Sequence, residues 1–142
     1  MSQRTQKAPA AGTAATQVLV SIVDDDESVR ESLPDLLREL GFVARAFASA
    51  VEFLASDVVP ATRCLILDIA MPGMSGPELR DELTVRGYAI AIIFITARGD
   101  EALRRQLIAR GAVDCLFKPF SEQELRAALD VALSGSPGSS QP

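Results

Sequence analysis

Histidine and tryptophan are missing from this chain, tyrosine occurs once, cysteine twice, and aromatic residues make up 5% of the sequence. Cys64 and Cys115 each lie inside an apolar run, and with no histidine they have no partners at metal-ligand spacing. They read as buried, reduced thiols, which favours a cytoplasmic location. Basic residues form no stripe: 14 Lys and Arg are scattered among 19 Asp and Glu, for a net charge of −5. A protein that grips a nucleic-acid backbone needs such a stripe, so direct nucleic-acid binding is not expected. No apolar run has the length of a membrane span, and the N-terminus lacks the apolar block of a secretory signal. What the chain does have is 142 residues, 48% of them hydrophobic, enough to bury one core without disulfides.

Residues 1–16, rich in Ala, Thr, Gln and Pro, read as a disordered lead, and the Ser/Gly/Pro segment 134–142 as a flexible tail. Between them, over residues 17–133, short apolar runs alternate with segments of helical spacing. Strands are predicted at 18–23, 42–47, 63–67, 89–95 and 113–117. Helices are predicted at 28–40, 49–54, 78–86, 100–110 and 121–133. Ser49 with Glu52, and Ser121 with Glu124, have the spacing of capping boxes. Gly41 can terminate the first helix, and Pro34 inside that helix should bend it. Strands apolar throughout must be covered on both faces, which implies an α/β fold: a doubly wound parallel sheet of five β-α units between helix layers.

The polar residues fall at strand ends. Asp24 and Asp25 follow the first strand, Asp68 ends the third, Thr96 the fourth and Lys118 the fifth. Each alone would pass for a turn or surface residue. Together, four strands deliver three carboxylates, a hydroxyl and an ammonium to the rim where open parallel sheets bind ligands. Crowded carboxylates repel, so a cation should join them, and an all-oxygen site suits Mg2+. Asp68 is then the candidate nucleophile toward a phosphoryl group. Lys118 and the metal would neutralise phosphoryl oxygens, and Thr96 would hydrogen-bond another.

Four segments, Ile22-Val23-Asp24-Asp25-Asp26, Leu67-Asp68-Ile69-Ala70-Met71-Pro72-Gly73-Met74-Ser75-Gly76, Ile95-Thr96-Ala97 and Lys118-Pro119-Phe120, resemble the response-regulator receiver family in order and spacing. The stretches 25–30, 47–54 and 111–114 resemble its FixJ-type branch. The resemblance implies a flavodoxin-like, CheY-like (βα)5 fold with strand order 2-1-3-4-5. It also implies Mg2+ held by Asp24, Asp25, Asp68 and the Ala70 backbone carbonyl, with Asp68 as phosphoacceptor. Thr96 and Lys118 assist, and the Lys118-Pro119 bond is expected to be cis. Expected partners are a histidine kinase or histidine phosphotransfer protein and a downstream protein target. The implied function is a stand-alone response regulator of two-component phosphorelay signalling, not an enzyme acting on a separate substrate. Many members of that branch add a DNA-binding domain, for which this chain is too short.

Ala70 and Arg98 occupy positions that tune phosphoryl lifetime in the family, and Cys115 stands where many relatives carry an aromatic ring. Without that ring, signalling is expected to run through the loop after Thr96 and the helix 100–110. Leu103, Leu107 and Ile108 would pack that helix, leaving Arg104 and Arg105 for a partner. A haloacid-dehalogenase-type phosphatase needs a second Asp where Ala70 stands, and a dinucleotide enzyme needs G-x-G-x-x-G after the first strand. Neither pattern is present. The remaining alternative is a pseudo-receiver that binds without phosphorylation.

Overall fold

Alternation of short apolar segments with amphipathic ones produces five strands and five helices in the computed structural model, which describes residues 18–134. The elements are β1 (Leu19–Val23), α1 (Glu27–Glu39), β2 (Val43–Phe47), α2 (Ala50–Ala55), β3 (Thr62–Asp68), α3 (Gly76–Val85), β4 (Ala91–Thr96), α4 (Glu101–Ala109), β5 (Asp114–Phe117) and α5 (Glu122–Ser134). All strand pairs are parallel, in the order β2-β1-β3-β4-β5. This is the expected 2-1-3-4-5 doubly wound sheet.

The central strands are buried on both faces because helices cover both. On one side, Val20, Ile22, Ile66, Ile93, Ile95 and Leu116 pack against Leu33 and Leu37 of α1 and Leu125 and Leu129 of α5. On the other, Val23, Leu65, Leu67, Phe94 and Cys115 meet Phe53 of α2, Leu79 and Leu83 of α3 and Leu107 of α4. Burying each large side chain such as Phe53 or Phe94 contributes about 1.5–3 kcal/mol. A polar link deep in the sheet is Ser21 to Thr62, oxygen to oxygen at 2.8 Å, tying β1 to β3. Thr62 also donates to the Val58 carbonyl at 2.8 Å, at the one-turn 3-10 helix Val59–Ala61 that precedes β3.

Local chemistry sets the helix starts. Asp26, Ser49, Ser75 and Asp100 cap α1 to α4 through side-chain oxygens. Ser121 and Glu124 form the expected capping box on α5. At α2 only half the expected box is present. Ser49 accepts from Glu52 N, but Glu52 Oε1 reaches back to the amide of Ala48. Helix α3 begins two residues earlier than the predicted 78, because Ser75 and Glu78 make a full capping box and Pro77 suits the first turn.

Helix α1 runs as one element with Pro34 inside it, where the sequence placed it. Other expectations need correction. Residues 89–90 stay outside the sheet, because β4 starts where Ala91 pairs with Cys64. Ser134 ends α5 instead of opening the tail. The lead 1–16 and residues 135–142 of the tail lie outside the described residues. On α4, Leu107 is buried and Leu103 packs on the core, but Ile108 faces solvent. Arg104 is already engaged, its Nε 2.9 Å from Asp114 Oδ1 and its Nη1 3.4 Å from Glu101 Oε1.

Candidate functional site

The carboxyl ends of β1, β3, β4 and β5 converge on one rim. Asp24 directly follows β1, Asp68 and Thr96 are the last residues of β3 and β4, and Lys118 follows β5. Parallel pairing in register is what levels these ends: Val23 lies opposite Leu67, Asp68 opposite Ile95, and Thr96 opposite Phe117. Carboxylate oxygens of Asp24, Asp25 and Asp68 lie within 4.8 Å of one another. Asp24 is fully buried and Asp68 nearly so, while Asp25 is exposed.

Asp24 is fixed from three sides. Its Oδ1 accepts from the Asp26 amide at 2.9 Å. Its backbone carbonyl accepts from Arg30 Nη1 of α1 at 3.1 Å, and its own amide donates to the Phe47 carbonyl of β2. Lys118 Nζ stands 2.8 Å from Asp24 Oδ2 and 3.8 Å from Asp68 Oδ1. The 2.8 Å approach is an ion pair by distance but is not aligned as a hydrogen bond, and Oδ2 has no hydrogen-bond partner. A buried carboxylate oxygen left so is a natural ligand position for a cation.

Electrostatics agrees. Burial, reinforced by Asp24 and Asp25 and only partly offset by Lys118, pushes the Asp68 carboxyl up to about 7. A group that holds its proton so tenaciously beside two other acids calls for positive charge. For Lys118, burial pulls the ammonium down, but Asp24, Asp68 and Asp26 outweigh it and the group titrates above its ordinary value. Asp26 is held below the usual carboxylate range by its hydrogen bonds from Ser28, in keeping with its role as helix cap.

Thr96 is buried, and its Oγ1 accepts from the Arg98 amide at 3.1 Å, which leaves its hydroxyl hydrogen free to donate. Ala70 is exposed in the loop after β3, and the Lys118-Pro119 peptide is cis. The acidic trio of oxygen donors fits a hard divalent cation such as Mg2+. Cys64 and Cys115 are free and buried away from this chemistry. Burial pushes the Cys64 thiol up to about 12 and, with Asp114, the Cys115 thiol up to about 11.

The five residues singled out by sequence are thus brought together. Three contributors were not anticipated. Arg30 holds the Asp24 carbonyl from α1, with no signal beyond its helical position. Gly76 lies so close to β3 that a methyl group there would overlap the Asp68 carbonyl oxygen. Gly99 is packed against the Phe117 ring. The capping-box spacing of Ser75 and Glu78, which starts the helix at 76, was the available signal for Gly76.

Comparison with known proteins gives one consistent match. The family described as response regulator receiver domain matches residues 20–130. Nodulation protein W of Bradyrhizobium diazoefficiens is 44% identical over 119 residues, covering 84% of this chain and 52% of that protein. The transcriptional regulatory protein FixJ of Azorhizobium caulinodans is 40% identical over 117 residues, covering 82% of this chain and 56% of that protein. The solved structure of FixJ-N superposes with a TM-score of 0.71 at 38% identity, covering 82% of this chain and 93% of that one. The chain therefore spans about half the length of the relatives it matches by sequence.

Proposed function

The chain belongs to the response regulator receiver family, and from that premise we propose that it accepts a phosphoryl group on Asp68 in a Mg2+-dependent reaction. The observation that carries this reading is the buried Asp24–Asp68 pair, with Asp25 alongside and Lys118 Nζ within 4 Å of both buried carboxylates. A carboxylate oxygen of Asp68 attacks phosphorus as the bond from phosphorus to the donor's leaving atom breaks, and the leaving group departs with the electron pair. Asp24, Asp25, Asp68 and the Ala70 carbonyl would hold the magnesium ion, which neutralises the acids and phosphoryl oxygens together. Lys118, protonated at neutral pH, offers a second positive charge to the same oxygens. Thr96 offers its free hydroxyl hydrogen to another.

Receiver domains are signalling proteins. On this reading a histidine kinase or a histidine phosphotransfer protein supplies the phosphoryl group, and the modified domain acts on a protein target. The net charge of −5 supports a protein target over a nucleic acid. On this reading the five strands and five helices, Leu19 to Ser134, make up the receiver unit. No helix among the described residues is long and apolar enough to cross a membrane.

The test is incubation with acetyl phosphate and Mg2+ followed by intact-mass measurement. Wild type should gain one phosphoryl group, the gain should vanish with chelator, and Asp68→Asn should gain none. Labelling of Asp68→Asn to wild-type extent would sink the assignment. A wild type that is never labelled would instead mark a receiver that signals by binding alone.

A further inference from the structure

Phe117 and Gly99 meet where the two assisting groups are set. Phe117 is the residue before Lys118, and it lies opposite Thr96 in the β4–β5 register. The Lys118 amide donates to the Thr96 carbonyl at 2.8 Å, so the backbones that bear the ammonium and the hydroxyl are joined there. Beyond Thr96 the chain turns, with the Arg98 amide donating to Thr96 Oγ1 at 3.1 Å. That turn brings Gly99 onto the Phe117 ring, so closely that a methyl group at residue 99 would overlap Cδ1 and Cε1.

The ring is half-buried on the same sheet face as Cys115, two residues earlier. Cys115 is short, so among the side chains of β5 on that face only Phe117 has the reach to prop the loop after β4. Its ring then sets the distance from strand to loop, and glycine is the residue that permits the ring to sit there.

We infer that Gly99 and Phe117 are positioning residues for the phosphoryl transfer, a role that rests on the function proposed above. Neither touches the reacting atoms. Together they fix the loop that follows Thr96, whose Arg98 amide donates to Thr96 Oγ1, against the strand that leads to Lys118. The hydroxyl and the ammonium therefore face one phosphoryl group at a set separation. Reacting groups displaced by about 1 Å can lose on the order of a hundredfold in rate. The acids Asp24, Asp25 and Asp68 stand at the ends of other strands, β1 and β3, so metal binding should be separable from this effect.

The experiment follows phosphorylation by acetyl phosphate with intact mass, and Mg2+ affinity by calorimetry, in wild type, Gly99→Ala, Phe117→Ala and the double variant. Gly99→Ala should take up phosphoryl groups about tenfold or more slowly with Mg2+ affinity unchanged. Removing the ring makes room for the new methyl group. The double variant should therefore be no slower than Phe117→Ala alone, the non-additivity expected of residues in contact. A Gly99→Ala protein that phosphorylates at the wild-type rate overturns the inference, as does a double variant slowed by the product of the single effects. Should Gly99→Ala fail to fold, Phe117→Leu decides: slowed transfer with intact Mg2+ affinity supports the inference, and an unchanged rate overturns it. A wild type that is never labelled sinks the underlying reading and this one with it. A labelled wild type beside an unslowed Gly99→Ala sinks this one alone.

Discussion

At Asp68, burial and neighbouring charge work against the ionised form that the proposed phosphoryl transfer needs. With the carboxyl pushed up to about 7 in the metal-free fold and an ordinary value near 4 in the unfolded chain, the native state binds more protons between those limits. Stability contributed by this group is present below about pH 4 and lost as pH rises through about 7. In chelator at pH 8, Asp68→Asn should therefore melt higher than wild type, by about 5 °C, and the gap should close toward pH 4. Mg2+ at pH 8 should raise the wild-type melting temperature more than that of the variant. Thermal melts at the two pH values check both signs, and a variant that melts lower than wild type at pH 8 would refute the account. The residues of this site were legible in the sequence because each ends a strand or follows one within two residues, and strand ends can be read from where an apolar run stops. The contribution of Arg30 was not, because a helix residue reaching back to a backbone carbonyl leaves no pattern in the chain.

Among the elements, α3 shows how a glycine can serve a neighbour instead of its own helix. Inside a helix, glycine is about 1 kcal/mol worse than alanine, so Gly76→Ala would ordinarily stabilise α3. Here the added methyl group would overlap the Asp68 carbonyl oxygen, with the Ile69 Cα only 3.0 Å away. Overpacking against backbone costs about 1–3 kcal/mol and should win. Urea denaturation should show Gly76→Ala destabilised by about 1 kcal/mol or more, and a stabilised variant would mean that the helix start can shift freely. The five strands and five α-helices were legible, though the one-turn 3-10 helix Val59–Ala61 was not, and so were the caps at Ser49 and Ser121, because capping is chemistry within four residues. Boundaries that depend on a partner were not: β4 begins only where Ala91 meets Cys64, and the apolar residues just before it gave no hint. The packing of α4 was partly misread for the same reason. Leu107 reaches the core but Ile108 does not, and Arg104 is held by Asp114 from β5.

For the whole molecule, strand order differs from chain order at one point, where β1 lies between β2 and β3. Backbone amides of β1 and β3 are flanked by strands on both sides and by helices above and below, whereas β5 is a four-residue edge strand. Native-state hydrogen exchange should be slowest at Ile22, Val23, Ile66 and Leu67 and faster along β5. Equal protection across all five strands would show that the sheet opens only as a unit. The fold class was legible because strands apolar throughout need cover on both faces, whereas the strand order came from the family resemblance, since right-handed crossovers leave more than one order open.

The division of the site between strands has a mechanical side. The acids stand on β1 and β3, at the centre of the sheet, while the hydroxyl and the ammonium stand on β4 and β5 toward one edge. On the proposed chemistry, a phosphoryl group bonded to Asp68 and gripped by Thr96 and Lys118 is a rivet across that span, added on top of the ladder hydrogen bonds. The edge would stiffen when the rivet is set and loosen when water removes it, so a single acyl-phosphate bond would be felt by a partner as a change in compliance.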